Sequence, residues 1–175
     1  MRTRWLVALA GAALAAPLAG QAFPPPPVQH ANARGTRLGL LGFGVRTGLD
    51  FKGDGQLVAA VSLDVGNLFL ERFRLRPSAE IGIQNGPNTY AASFEMLYRF
   101  AADAETVTPY LGGGLAAAGH AACGADPTCP ALWVNAVLGF EVHFHSTFNW
   151  LLEYRGMDAF RHNRLCLGLA TRRGN

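Results

Sequence analysis

Three groups of side chains in this 175-residue sequence have the types and spacing to do chemistry. Cys123 and Cys129 flank a turn-rich stretch, Ala121-Ala122-Cys123-Gly124-Ala125-Asp126-Pro127-Thr128-Cys129-Pro130. Two thiols so placed predict a local disulfide in an oxidising compartment. His120 lies close by, but a closed zinc site takes four ligands, so neither a metal nor a cofactor is expected. His143, His145, Ser146 and Glu153 form the second group. A histidine that takes a proton from a serine hydroxyl, with a carboxylate to orient it, is the machinery of ester hydrolysis. His145 and Ser146 are adjacent, so in an extended strand they point to opposite faces; they are weak catalytic candidates, and the expectation is a non-enzyme. The third group is Arg74, Arg76, Glu80, Glu95, Arg99, Glu141, Glu153 and Arg155, a set of both signs on alternating positions. Cys166 is left over and reads as a small buried filler.

The elements that must position these residues have a period of two. In Phe73–Gln84, Phe73, Leu75, Ala79, Ile81 and Ile83 share one parity, and Arg74, Arg76, Ser78, Glu80 and Gly82 share the other. Side chains alternate across a strand, so each such segment has one apolar and one polar face. The same reading applies to Leu38–Leu49, Leu57–Val65, Tyr90–Phe100, Val107–Gly119, Leu132–Val142, the segment from Thr147 to Met157, and Arg164–Arg172. This predicts an all-β chain of eight strands. Each approaches or exceeds the 9–11 residues that cross a membrane at a tilt of about 45°. An even number lets the first and last strands meet antiparallel and leaves no open edge. Expected turns at one end are Gly66–Glu71, Ala101–Thr106 and His145–Thr147; those at the other are Asp50–Gln56, Asn85–Thr89, Ala121–Pro130 and Asp158–Asn163.

Composition limits what such a chain can be. Half of the residues are hydrophobic and only 15% are charged, against about 25% in an ordinary soluble domain. Apolar content this high excludes a disordered tail. The formal charge of +3 includes Arg2 and Arg4; without them acid and base nearly balance, so nucleic-acid binding has no electrostatic support. Met1-Arg2-Thr3-Arg4-Trp5 followed by the apolar run Leu6–Leu18 and Gly20-Gln21-Ala22 has the pattern of a cleaved export signal, residues 1–22. Residues 23–35 read as a Pro-rich linker, and residues 36–173 as the barrel.

Alternation alone suits a water-soluble barrel as well. The polar parity decides for lipid. It carries arginines and carboxylates in near balance, which can pair across a narrow interior, while Lys52 is the single lysine in the chain. It is also rich in glycine (Gly42, Gly44, Gly82, Gly112, Gly114, Gly139, Gly168), which leaves room in an eight-stranded tube just wide enough for side chains. Tyr90, Tyr98, Phe100, Phe148 and Tyr154 lie on the apolar parity near strand ends, where an aromatic girdle belongs; Trp150 reads as nearer mid-strand.

With these features, and with Thr108-Pro109-Tyr110-Leu111-Gly112-Gly113-Gly114-Leu115 opening one strand and Leu152-Glu153-Tyr154-Arg155 preceding the last, residues 36–173 resemble the small outer-membrane barrels of the OmpA-like transmembrane domain and opacity-protein type. The resemblance implies the outer membrane of a Gram-negative-type bacterium, a lipid environment, a monomer, and a structural or envelope-associated role without catalysis. Lipopolysaccharide contact is expected near Arg161-His162-Asn163-Arg164. Two alternatives stand beside it. One is a narrow channel, whose extra inward arginines would favour anions. The other is a lipid-modifying hydrolase: eight-stranded lipid A deacylases use a His-x-Ser arrangement, which His143, His145 and Ser146 do not reproduce.

Overall fold

The computed structural model describes residues 36–52, 55–100, 106–121, 123–125, 128–145 and 147–171. The expected export signal and Pro-rich linker therefore lie outside the described residues, as do Ser146 and Arg172. Eight strands follow one another: β1 (Arg37–Asp50), β2 (Gln56–Asn67), β3 (Phe73–Ile83), β4 (Thr89–Arg99), β5 (Val107–His120), β6 (Ala131–His143), β7 (Phe148–Met157) and β8 (His162–Thr171). Each pairs antiparallel with its neighbour in sequence, and β1 pairs with β8, closing the barrel. Closure gives every backbone donor and acceptor along the strands a place in a ladder, which is the condition for crossing hydrocarbon.

Register fixes the tilt. Following paired residues once around the barrel returns to β1 about ten positions from the start. A stagger of this size requires strands inclined by roughly 35–45° to the barrel axis. The described charged residues on the predicted polar parity face inward. Arg46, Arg74, Arg76, Glu80, Glu95, Arg99, Glu141, Glu153, Arg155 and Arg164 are buried, while Leu57, Val61, Ile81, Phe94, Leu111, Leu138, Leu152 and Leu167 on the other parity are exposed. The molecule is therefore inside out relative to a water-soluble barrel: its core is polar and its surface apolar.

Two glycines make room where the lumen is tightest. A Cβ on Gly139 would collide with the Tyr110 ring, and one on Gly114 with the backbone of Phe94 and Glu95. The first vacancy lets Tyr110, wholly buried, lie across the interior.

The β7–β8 turn is built differently. Asp158, Ala159 and Phe160 have φ of 50°, 51° and 64°, three successive left-handed residues without a glycine among them. Such conformations cost a residue with a Cβ roughly 1–2 kcal/mol each. Phe160 Nonetheless folds back over Gly156, where a Cβ would meet its ring. Ala159→Gly is expected to stabilise the barrel by about 0.5–1 kcal/mol, read as a higher urea midpoint with an unchanged slope.

Candidate functional site: a charged lumen with a cup at one mouth

The lumen is filled by a ladder of ion pairs in two networks, a larger one through the middle to one mouth and a smaller one at the other end. Midway along it, Arg76 donates from Nε and Nη2 to Glu95 Oε2 at 3.0 and 2.8 Å, and its Nη1 lies 2.7 Å from Glu153 Oε2. Tyr110 donates its hydroxyl to the same Glu153 oxygen at 2.8 Å, while Arg46 Nε lies 3.6 Å from Glu153 Oε1. Arg155 joins three carboxylates: Glu80 at 3.0 Å, Glu153 at 3.6 Å, and Glu95, which also accepts from Asn135. Towards the end that carries the β2–β3, β4–β5 and β6–β7 turns, Glu141 accepts from Arg99 at 3.0 Å, Arg74 at 3.4 Å and Asn149 at 3.3 Å. Arg74 is also 3.6 Å from Asp64. All eight residues picked out by the sequence thus sit in one lumen, Arg76, Glu80, Glu95, Glu153 and Arg155 in the larger network and Arg74, Arg99 and Glu141 in the smaller.

The ladder extends further than that set. Arg46 and Arg164 belong to it, and so does Asp50, which the sequence reading placed in a turn; β1 instead runs through Asp50, two residues beyond Gly48 and on the same inward parity. Among the described residues, six arginines (46, 74, 76, 99, 155, 164) now face six carboxylates (50, 64, 80, 95, 141, 153). The expected arginine excess counted Arg172, which lies outside the described residues, and did not count Asp50.

Asp50 anchors the opposite mouth. Its carboxylate accepts from Arg164 Nε at 2.9 Å and from Gln56 at 3.1 Å. His162 Nδ1 is 2.8 Å from Asp50 Oδ2, and Lys52 Nζ is 2.8 Å from His162 Nε2. An ammonium only donates, so Nε2 accepts from Lys52 and Nδ1–H donates to Asp50. Trp133 stacks on His162 with ring centroids 4.8 Å apart. Above these groups opens a cup of about 470 Å³, lined by Lys52, Gln56, Thr89, His120, Trp133 and His162 among others. Gln56, His162 and Trp133 had no place in the sequence-derived set. The first two fall in segments read as turns, and Trp133 shares the parity of Asn135, Gly139 and Glu141 in its segment.

Cys123 and Cys129 form the expected disulfide in the β5–β6 loop beside this cup. His120 stands close enough to both sulfurs to suggest a metal site, but disulfide sulfurs have no thiolate to offer a metal. Cys166 is buried and free.

Among the described hydrolase candidates, which do not include Ser146, Glu153 stands apart from His143 and His145. Glu153 is committed to Arg46, Arg76, Arg155 and Tyr110 in the middle of the lumen. His145 is exposed in the β6–β7 turn, and its Nδ1 accepts from the backbone N–H of Thr147 at 3.4 Å. His143 pairs with Asn149 at 2.9 Å.

The aromatic residues picked out for a girdle all lie on the outward parity. Phe73, Tyr98 and Phe100 cluster at one end, with ring centroids 5.0 and 5.2 Å apart. Phe148 opens β7, and Trp150, only two residues on, packs against Phe144 at 5.3 Å. Trp150 therefore stands near the start of β7, at a strand end and not mid-strand. At the other end Tyr154 donates to Asn163 at 2.6 Å, and the Tyr90 hydroxyl lies 3.1 Å from Cys123 Sγ.

No protein-family model matches this chain, and no curated protein is detectably similar to it in sequence. Solved structures are similar in fold. The chain matches Neisserial surface protein A with a TM-score of 0.57 at 14% identity, over 75% of this chain and 94% of that one. It matches the N-terminal β-barrel domain of Pseudomonas aeruginosa OprF with a TM-score of 0.54 at 13% identity, over 76% and 98% of the two chains. A de novo designed transmembrane β-barrel matches with a TM-score of 0.52 at 12% identity, over 81% and 98%. The fold is that of the eight-stranded antiparallel outer-membrane β-barrels.

Proposed function

We propose a structural, non-catalytic role in the outer membrane for this barrel, with a lumen closed to diffusion. The observation that carries this reading is the ladder itself. Arg155, Glu95 and Glu153 at its centre have no accessible surface, and Arg74, Arg76, Arg155 and Arg164 each bridge carboxylates from different strands. Opening a path for ions would separate buried charges, and breaking one such pair costs about 3–5 kcal/mol. A porin holds its lumen open with many more strands.

The barrel's partners follow from its surface. Leucine, isoleucine, valine and phenylalanine cover the outward parity of all eight strands, which supports acyl chains as the surrounding medium. Arg161, three-quarters exposed and 3.8 Å from Asp158, stands on the β7–β8 turn, and we assign it to lipopolysaccharide phosphate at the headgroup level. A monomer fits a barrel whose strands are all paired within one chain.

Planar bilayer recording tests the reading. Purified, heat-modifiable protein is expected to insert without discrete current steps. Resolved openings in the unaltered protein would overturn the closed lumen and favour the narrow channel.

A further inference from the structure

We propose that the cup at the Asp50 mouth binds a small ring-bearing organic anion, a carboxylate or a phosphate, with the charge on Lys52 and the ring against Trp133. This does not rest on the closed lumen or on the structural role, because the cup lies above the ladder and opens away from it.

Three observations converge on this assignment. The first is charge. Among the described residues the lumen's six arginines are matched by its six carboxylates, so Lys52 is surplus. No described carboxylate lies within ion-pair distance of Lys52, whose Nζ instead donates to His162. One of its three N–H bonds is thereby used, and two can reach into the cup. A cation held in place by a histidine, itself fixed by a buried aspartate, is positioned for an anion.

The second is shape. The cup encloses about 470 Å³, within the range of roughly 300–1,000 Å³ typical of small-molecule sites. Its rim includes the exposed Gln84 and Asn85, so a ligand can enter from solvent.

The third is surface chemistry. Trp133 faces inward from β6 at this mouth, and it is half-buried, stacked on His162 on one side. A flat ring supported in this way offers a sugar or aromatic ring a surface to lie on. His120, Gln84 and Asn85 add hydrogen-bonding groups to the wall. Few polar groups converging beside one aromatic surface is the pattern of a site that orients a ring-sized ligand.

The test is a fluorescence titration of the full chain refolded in detergent micelles. Trp5→Phe and Trp150→Phe leave Trp133 as the sole tryptophan emitter. Two probe pairs are used, benzoate against benzyl alcohol and glucose 6-phosphate against glucose. The expected result is a saturable change in Trp133 emission with at least one of the two anions, at least tenfold stronger than with its neutral counterpart. Lys52→Met, at an exposed position where folding is checked by heat-modifiability, is expected to weaken that binding tenfold or more. The proposal is overturned if neither anion gives a saturable change, if a neutral probe binds as tightly as its anion, or if Lys52→Met leaves the affinity unaltered. Inorganic phosphate serves as a further arm. Binding as tight as that of the ring-bearing anions would show that Trp133 contributes nothing, and would overturn the ring assignment.

Discussion

Arg155→Met is expected to destabilise the barrel by about 3–5 kcal/mol, the cost of removing one partner from a buried charge cluster. Arg155 is fully buried on β7 and joins Glu80 of β3, Glu95 of β4 and Glu153 of its own strand. Methionine matches much of the volume and none of the donors, so three carboxylates lose a shared cation in a place water reaches poorly. Arg76, Arg164 and Asn135 keep Glu95 and Glu80 partly satisfied, which holds the loss within that range. Urea unfolding in lipid vesicles, followed by the heat-modifiable band and tryptophan emission, gives the number. A second variant shows where the loss comes from. If Glu80→Gln is added, the double variant should lose less than the sum of the singles, by about 0.5–3 kcal/mol, because the neutralised side chain no longer needs the missing arginine. A loss below 1 kcal/mol with strict additivity would mean that water replaces Arg155 freely. The lumen would then be solvent-filled, and the closed-barrel reading would fail with it.

Much of this ladder was legible in the sequence, because strand geometry turns parity into position. Once Arg74, Arg76 and Glu80 share a parity on β3, they share a face. Charges on a face that cannot meet lipid must meet one another. The sequence could not show which arginine meets which carboxylate, since that depends on the stagger between strands that are distant along the chain. Arg155 and Glu80 are 75 residues apart. Asp50 was missed for a different reason. Asp50-Phe51-Lys52-Gly53-Asp54-Gly55 has the composition of a turn, and turn signals set the strand limit too early. The alternation Arg46, Gly48, Asp50 continues without a break, and following it to its end would have placed Asp50 inside. His162 was hidden by the same effect at the start of β8. The cup followed them out of sight, because its floor is made of residues at strand ends. There, local turn propensity and the longer-range demand of barrel closure compete, and closure wins.

The outward parity carries the second large effect, and it separates lipid from water as the surrounding medium. Leu167 lies midway along β8, paired with Thr47 on β1 and Leu152 on β7, with its side chain exposed. Leu167→Arg is expected to cost about 2–4 kcal/mol in phospholipid bilayers, the penalty for a guanidinium near the hydrocarbon midplane of a barrel. Val107, also exposed, is the first residue of β5. Val107→Arg should cost only about 0–1 kcal/mol, because its charge reaches the headgroups. The difference between the two positions matters more than either value. Loss of a β-branched strand former and the larger gain in volume would make Val107→Arg the costlier variant, so only depth in an apolar medium can make Leu167→Arg cost more. On a barrel surrounded by water, both would fall within the ±0.5 kcal/mol usual for exposed sites, and Leu167→Arg would increase solubility without detergent. Equal, small effects at Leu167 and Val107 would therefore overturn the membrane assignment even with every ion pair of the lumen intact. A steep dependence on depth would tie the low charge content of the sequence to its cause: one of the two faces of each strand has no water to meet.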